Sequence, residues 1–243
     1  MAVYQDKAKE RIKSEVGKVR SLCKRGKKAN MGEADTRAIV QKVLTDMLGW
    51  EMIGDVTQET GIKGGYCDFM VSYEGKPFAV VEVKKISGGL TENHLTQARH
   101  YAQDNPLNWV ILTNGDEWQV HHLYYNKRRG ENPEPMLFHL FTTSFTDTTI
   151  RASERVELLY LLSKEAKRHD ELEAYHDLLQ ALSPQELAKR LMREDVMDRI
   201  RIGIKNDIGF RIDNDELAGR IAEIINDEAI PPNLGYLIKK LGK

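Results

Sequence analysis

Asp68 and the run Glu82-Val83-Lys84, beginning fourteen residues later, are the side chains of this sequence best suited to chemistry. On a strand, residues two apart share a face, so Glu82 and Lys84 project together while Val83 points into the core. If a hairpin is centred on Gly75, Asp68 falls opposite Glu82. Two carboxylates and an amine would then converge on one small patch, a costly arrangement unless a cation lies between them. That set suits hydrolysis of a phosphodiester. The carboxylates would hold Mg²⁺, and the lysine would position the attacking water or stabilise the charge that develops. The pattern alone also fits a solvated hairpin face with a cross-strand ion pair, because alternating Glu and Lys is common on exposed strands.

The elements that must position these residues follow from hydrophobic spacing. Residues 5–23 read as a helix with Ile12, Val16, Val19 and Cys23 on a narrow apolar stripe, ended by Gly26 and the Lys27-Lys28-Ala29-Asn30 run. A second helix runs from about Gly32 to Leu48 and ends at Gly49. Tyr66 to Tyr73 and Pro77 to Lys84 form the hairpin, turning at Glu74-Gly75-Lys76. A short helix is expected from about Thr91 to Gln103. Strands follow at Asn108 to Thr113, at Trp118 to Tyr125 after an Asn114-Gly115 turn, and at Met136 to Thr142. From Arg151 the pattern is helical to the end. Ser183-Pro184-Gln185-Glu186 is a capping box there, and Gly203 and Gly209 are expected to interrupt the helices. The arrangement is α/β in class, with three expected parts: a basic N-terminal helix (1–30), a catalytic-type α/β domain (31–148) and an all-helical C-terminal region (149–243).

The 243 residues carry 36 Lys+Arg against 37 Asp+Glu, a net charge of -1 that argues against a uniformly basic nucleic-acid coat. Divided by segment, the chain reads differently. Residues 1–30 hold ten Lys/Arg and three acids, whereas residues 31–150 hold ten and sixteen. A basic arm, with Lys27 and Lys28 at its end, precedes an acidic body. The arm suits contact with a phosphate backbone, or docking on the body with its cations facing water. Two cysteines, Cys23 and Cys67, cannot build a disulfide scaffold. No apolar run is long enough for a membrane span and no signal-peptide core opens the chain, so a reduced, cytoplasmic protein is expected. No G-x-x-x-x-G-K-[ST] occurs, so no ATP-driven motor is expected in this chain.

Several residues together resemble the PD-(D/E)xK nuclease superfamily, specifically the domain at the N terminus of type I restriction endonuclease R subunits and its stand-alone relatives. They span about residues 30–125. Gly32-Glu33-Ala-Asp-Thr-Arg37 opens the helix ending at Leu48-Gly49-Trp50, and Asp68 and Glu82-Val-Lys84 follow. Gln97-Ala-Arg-His-Tyr101 comes next, then Trp109-Val-Ile-Leu-Thr-Asn-Gly115 and Trp118. The resemblance implies a restriction-endonuclease-like αβββαβ core and DNA cleavage dependent on Mg²⁺ or Mn²⁺. By that match Glu33, Asp68 and Glu82 would be metal ligands and Lys84 the catalytic lysine. Gln97 would act beside them, and Tyr101, Lys27, Lys28 and Lys85 would contact the substrate. Cys67 stands where the family often has proline. Glu33 could equally close a capping box with Asn30, and Gln97 with Tyr101 could be a surface pair. A catalytically silent DNA-binding or assembly protein, or an RNA-processing nuclease, would use the same residues. The apolar faces of the C-terminal helices could pair two protomers as a homodimer.

The remaining features carry less. His121 and His122 are adjacent on a strand, point to opposite faces and cannot chelate one ion. Asp213-Asn-Asp-Glu216 is a helix N-cap rather than a calcium loop. Lys127-Arg128-Arg129 tips a loop that suits either phosphate or water.

Overall fold

The computed structural model describes residues 3–62, 65–96, 99, 107–126 and 134–226. Gln97, Tyr101, Lys127, Arg128 and Arg129 lie outside the described residues, as do residues 97, 98 and 100–103 of the helix expected to Gln103. The chain forms two compact units, Met1–His176 and Asp177–Lys243.

In the first unit, α1 (Val3–Lys28) and α2 (Glu33–Lys42) precede a six-stranded sheet. The strands are β1 (Val56–Ile62), β2 (Gly65–Tyr73), β3 (Lys76–Val83), β4 (Trp109–Thr113), β5 (Glu117–Asn126) and β6 (Glu134–Ser144). They lie in sequence order, all antiparallel except the parallel pair β3–β4. A parallel neighbour requires a crossover, and the helical residues 92–96 lie within it. β3 and β4 are buried almost throughout, as strands covered on both faces must be. Three short helices follow: α3 (Ala152–Tyr160), α4 (Lys164–Arg168) and α5 (Glu171–Ala181).

The boundary expected near residue 148 does not coincide with the division between the two compact units, which falls after His176. α3 and α4 pack on α1 and so belong to the first unit. α1 is likewise no separate part. It buries Ala8, Ile12, Val19, Cys23 and Gly26 against the body. Arg11 grips both Glu165 oxygens at 2.7 Å and the Met47 carbonyl. Lys9 pairs with Glu157, Arg20 donates to the Phe145 carbonyl and Lys27 pairs with Asp116. Much of the basic arm therefore fastens the helix down, while Lys7, Lys13, Lys24, Arg25 and Lys28 remain exposed.

Gly26 does not stop α1, which continues to Lys28. It is a close-approach glycine: a Cβ there would lie 2.8 Å from Ile86 Cδ1 and 3.2 Å from Met31 Sδ. α2 is capped by the Gly32 backbone with no side-chain cap, and its last turn widens into a π-turn at Val43–Met47. Gly49, at φ +79°, ends it as expected. Trp50 is core: its indole N–H donates to the Leu162 carbonyl and its ring stacks on Phe78. Both cysteines are buried and neither is in a disulfide.

The β2–β3 hairpin turns through Glu74 and Gly75, both at positive φ. Its pairs run Tyr73↔Lys76 and Ser72↔Pro77, then shift by one residue to Val71↔Ala79, Met70↔Val80 and Phe69↔Val81. The bulge has a local cause. Pro77 has no N–H to give the ladder, and the Ser72 N–H turns away to the Asp55 carbonyl.

On β5, His121 is buried edge-to-face against His139, whereas His122 contacts Trp109 and His176, so the two rings do occupy opposite faces. Burial, with His139 adding to it, pulls the His121 imidazole from 6.5 down to about 4. Between those values the unfolded chain binds a proton that the folded chain refuses, so stability is complete above the unfolded value and lost as pH falls. Urea midpoints should decline from about pH 6.5 toward pH 4, and His121→Gln should flatten that part of the profile. An unchanged slope would mean that His121 titrates normally.

The second unit holds the end of α5 with α6 (Pro184–Leu191), α7 (Glu194–Ile208) and α8 (Asn214–Asn226). Ser183 caps α6 through its hydroxyl on the Glu186 N–H, and Asp213 caps α8 on the Glu216 N–H. Gly209, at φ +78°, ends α7, but Gly203 lies inside that helix and does not interrupt it. Met197, Leu217 and Ile221 form the small core, flanked by Ile200, Ile204 and Ile212.

Candidate active site

The site forms at the carboxyl end of β3, where β2 parts from it. The Lys84 N–H still donates to the Thr113 carbonyl at 2.8 Å, so β4 supports the chain as far as the lysine. Asp68 lies one step beyond the Phe69↔Val81 pair. Its Oδ2 accepts the Val83 backbone N–H at 2.7 Å, which ties β2 to β3 where the ladder ends. Its Oδ1 accepts from Arg37 Nη1 at 3.0 Å.

Glu82 is only 3% exposed and pairs with Lys84 Nζ at 2.7 Å. Burial pushes the Glu82 carboxyl above its ordinary range against the pull of Lys84, and the charges of Asp68 and Glu33 add to the push. Burial opposes charge on Lys84, but its bond and attraction to Glu82, with Glu33 and Asp68 behind, hold the ammonium above its ordinary value. The three carboxylates and the lysine thus act on one another as a single electrostatic cluster. Glu33 occupies the first turn of α2, exposed, where free backbone N–H groups favour an acid. The capping-box alternative fails, because Asn30 instead accepts from the Ser87 hydroxyl. Thr36 fixes the helix to the strand end by accepting the Ile86 N–H.

Two residues join this cluster that spacing did not assign. Arg37, one turn after Glu33, is the cation on Asp68, and the i,i+4 spacing of Glu33 and Arg37 was the available signal. His94 feels the charges of Lys84 and Glu33, and burial lowers its pKa. A lone histidine in a polar stretch gave no signal. Lys27 is committed to Asp116, Lys28 is exposed and Lys85 is half-buried beside Lys84. Gln97 and Tyr101 lie outside the described residues.

Three carboxylates are the hard oxygen donors that a divalent ion of the Mg²⁺ type prefers. As they stand, Asp68 and Glu82 each hold a protein cation. No group of three or more His, Cys, Asp or Glu is drawn together around one point among the described residues.

Residues 33–134 match the family model of the type I restriction enzyme R protein N terminus. The matched segment is under half of the chain, yet it contains Glu33, Arg37, Asp68, Glu82, Lys84 and His94. It ends where β6 begins. No curated protein and no solved structure matches the chain. No helix among the described residues is long and apolar enough to cross a membrane.

Proposed function

We propose that this protein is a metal-dependent endonuclease of the restriction type that hydrolyses DNA phosphodiester bonds, on a PD-(D/E)xK core of αβββαβ order. The observation that carries the reading is the buried Glu82–Lys84 pair, with Asp68 and Glu33 acting on it, inside the segment that matches a restriction-enzyme domain. Asp68, Glu82 and Glu33 would hold the ion. Bound Mg²⁺ or Mn²⁺ would neutralise the phosphate and lower the pKa of the attacking water. Lys84, which donates to Glu82 in this structure, would supply its ammonium to the attacking water and to the charge that develops on the phosphoryl oxygens. The water oxygen would join phosphorus and lose a proton to solvent as the P–O bond to the leaving strand breaks, and the leaving oxygen would take a proton back from solvent. Arg37 positions Asp68.

Plasmid nicking tests this reading. Purified protein with Mg²⁺ or Mn²⁺ should convert supercoiled plasmid to open circles, with methylated and unmodified plasmid compared side by side. Inertness on duplex, single-stranded and modified DNA would remove the enzyme.

The second reading, a non-cleaving DNA-binding or assembly protein, has its own support. Asp68 and Glu82 are already paired with Arg37 and Lys84, as a site without metal would be. Titration calorimetry separates the two: a silent site takes up no Mg²⁺ that depends on Asp68 and Glu82. An RNA substrate uses the same residues, and competition between RNA and DNA decides it. Self-association through the C-terminal helices, where Leu187 and Leu191 are exposed, belongs to the same proposal.

A further inference from the structure

A recess of about 250 Å³ lies against β5 and β6, bordered by Glu92, Thr96, Arg99, His121, His139 and Leu137. Two of its nitrogens are unusual. His121 is 4% exposed, and its Nε2 is buried without a hydrogen-bond partner; Arg99 Nε is likewise buried and unpartnered. Such a group is costly if nothing meets it, and buried polar atoms of native proteins nearly always find a partner. Both of these border the same recess, which has room for more than a single water.

The chemistry of the partner follows from the donors. Arg99 is always protonated and has no acceptor, so whatever meets its Nε–H must present an acceptor. A buried, neutral His121 can donate from Nε2 in the matching tautomer. His139, 5.2 Å from His121 between ring centres, is engaged through its Nε2 with Thr142. A metal cation is disfavoured by Arg99. Glu92, exposed at the rim, supplies the one carboxylate of the lining. We propose that this recess binds a phosphate-type oxyanion, held between Arg99 and His121.

The position gives such an ion a consequence for the rest of the fold. Strand register places Glu82, Leu112, Val110, His121 and His139 on one face of the sheet. The helical residues 92–96 carry Glu92 and Thr96 to the recess and include His94, which feels the charge of Lys84. An oxyanion bridging Arg99 to His121 would pin this stretch of chain to the sheet beside the carboxylate cluster. The inference does not depend on cleavage, and its readout is binding.

The test is histidine side-chain NMR on the full chain. Inorganic phosphate is one probe, and an oligonucleotide without terminal phosphates, carrying only diesters, is the other. The His121 signals, assigned with His121→Gln, should move saturably, and Arg99→Gln should weaken the response about tenfold or more while other signals stay in place. Movement with inorganic phosphate supports a site for the free ion, and movement with the oligonucleotide alone supports a site for a phosphate of the polymer. Silence toward both probes, or a response that survives Arg99→Gln undiminished, overturns the proposal.

Discussion

Replacing Lys84 with methionine is expected to lower metal-dependent plasmid nicking by about 10²–10³-fold, the usual loss when one donor to transition-state charge is removed. The fold should survive. Methionine preserves the aliphatic stem, and Glu82, already pushed upward by burial, can take a proton when its ammonium partner is gone. Asp68 calls for more care, because it is both a candidate ligand and a tie between strands. Asp68→Ala would leave the Val83 N–H unmet at a cost of about 1–3 kcal/mol, mixing lost stability with lost activity. Asp68→Asn keeps an oxygen for that N–H and removes the charge, so it is the cleaner test. Nicking by Lys84→Met at the wild-type rate would show that the lysine only neutralises Glu82.

The largest expected effect on stability lies elsewhere, at Arg155. This side chain is 2% exposed, and its guanidinium donates to the carbonyls of Ser144, Asp147 and Ile150, closing the corner where β6 passes into α3. Arg155→Met leaves those carbonyls facing an apolar chain, at a cost of about 3–5 kcal/mol. The melting temperature should fall by roughly 10 °C. Trp50, Trp109 and Trp118 all lie in the first unit, so tryptophan fluorescence reports on that unit. A melting temperature within about 2 °C of wild type would mean that water satisfies the corner.

Glu82 and Lys84 were legible because strand periodicity fixes which side chains share a face, and the one-residue spacing between them leaves no alternative. The hairpin, β4, β5 and β6 were legible for the same reason. β1 was not singled out, because Val56-Thr-Gln-Glu-Thr-Gly-Ile62 is a polar edge sequence with a glycine. The run after Gly26 does hold the end of α1, but Gly26 itself lies within the helix, because a glycine that ends a helix and one that lets a helix approach its neighbour look alike in sequence. Helical spacing begins at residue 151 and drew the expected boundary there, while which helices pack on α1 depends on partners such as Glu157 and Glu165. At the site, Asp68, Glu82 and Lys84 could be grouped from spacing, whereas Glu33 entered only through the family resemblance. Arg37 and His94 were not assigned, since Arg37 meets Asp68 only where α2 packs beside β2, and His94 feels Lys84 and Glu33 only once the chain after β3 folds back.

The bulge between Val71 and Ser72 sets the phase of the hairpin. At the tip, partners are counted from a two-residue turn; beyond the bulge the count has moved by one, and this second count runs up to the carboxylates. Because side chains alternate with a period of two, lengthening or shortening the tip by one residue on one strand would exchange inward for outward at every position between there and Glu82, unless the bulge absorbed the difference. Adding one residue to each arm would leave the pairing beyond the bulge unchanged. The far end of the hairpin is therefore free to vary in length in matched steps while the site keeps its orientation, and Ser72 opposite Pro77 is where an unmatched step would be taken up.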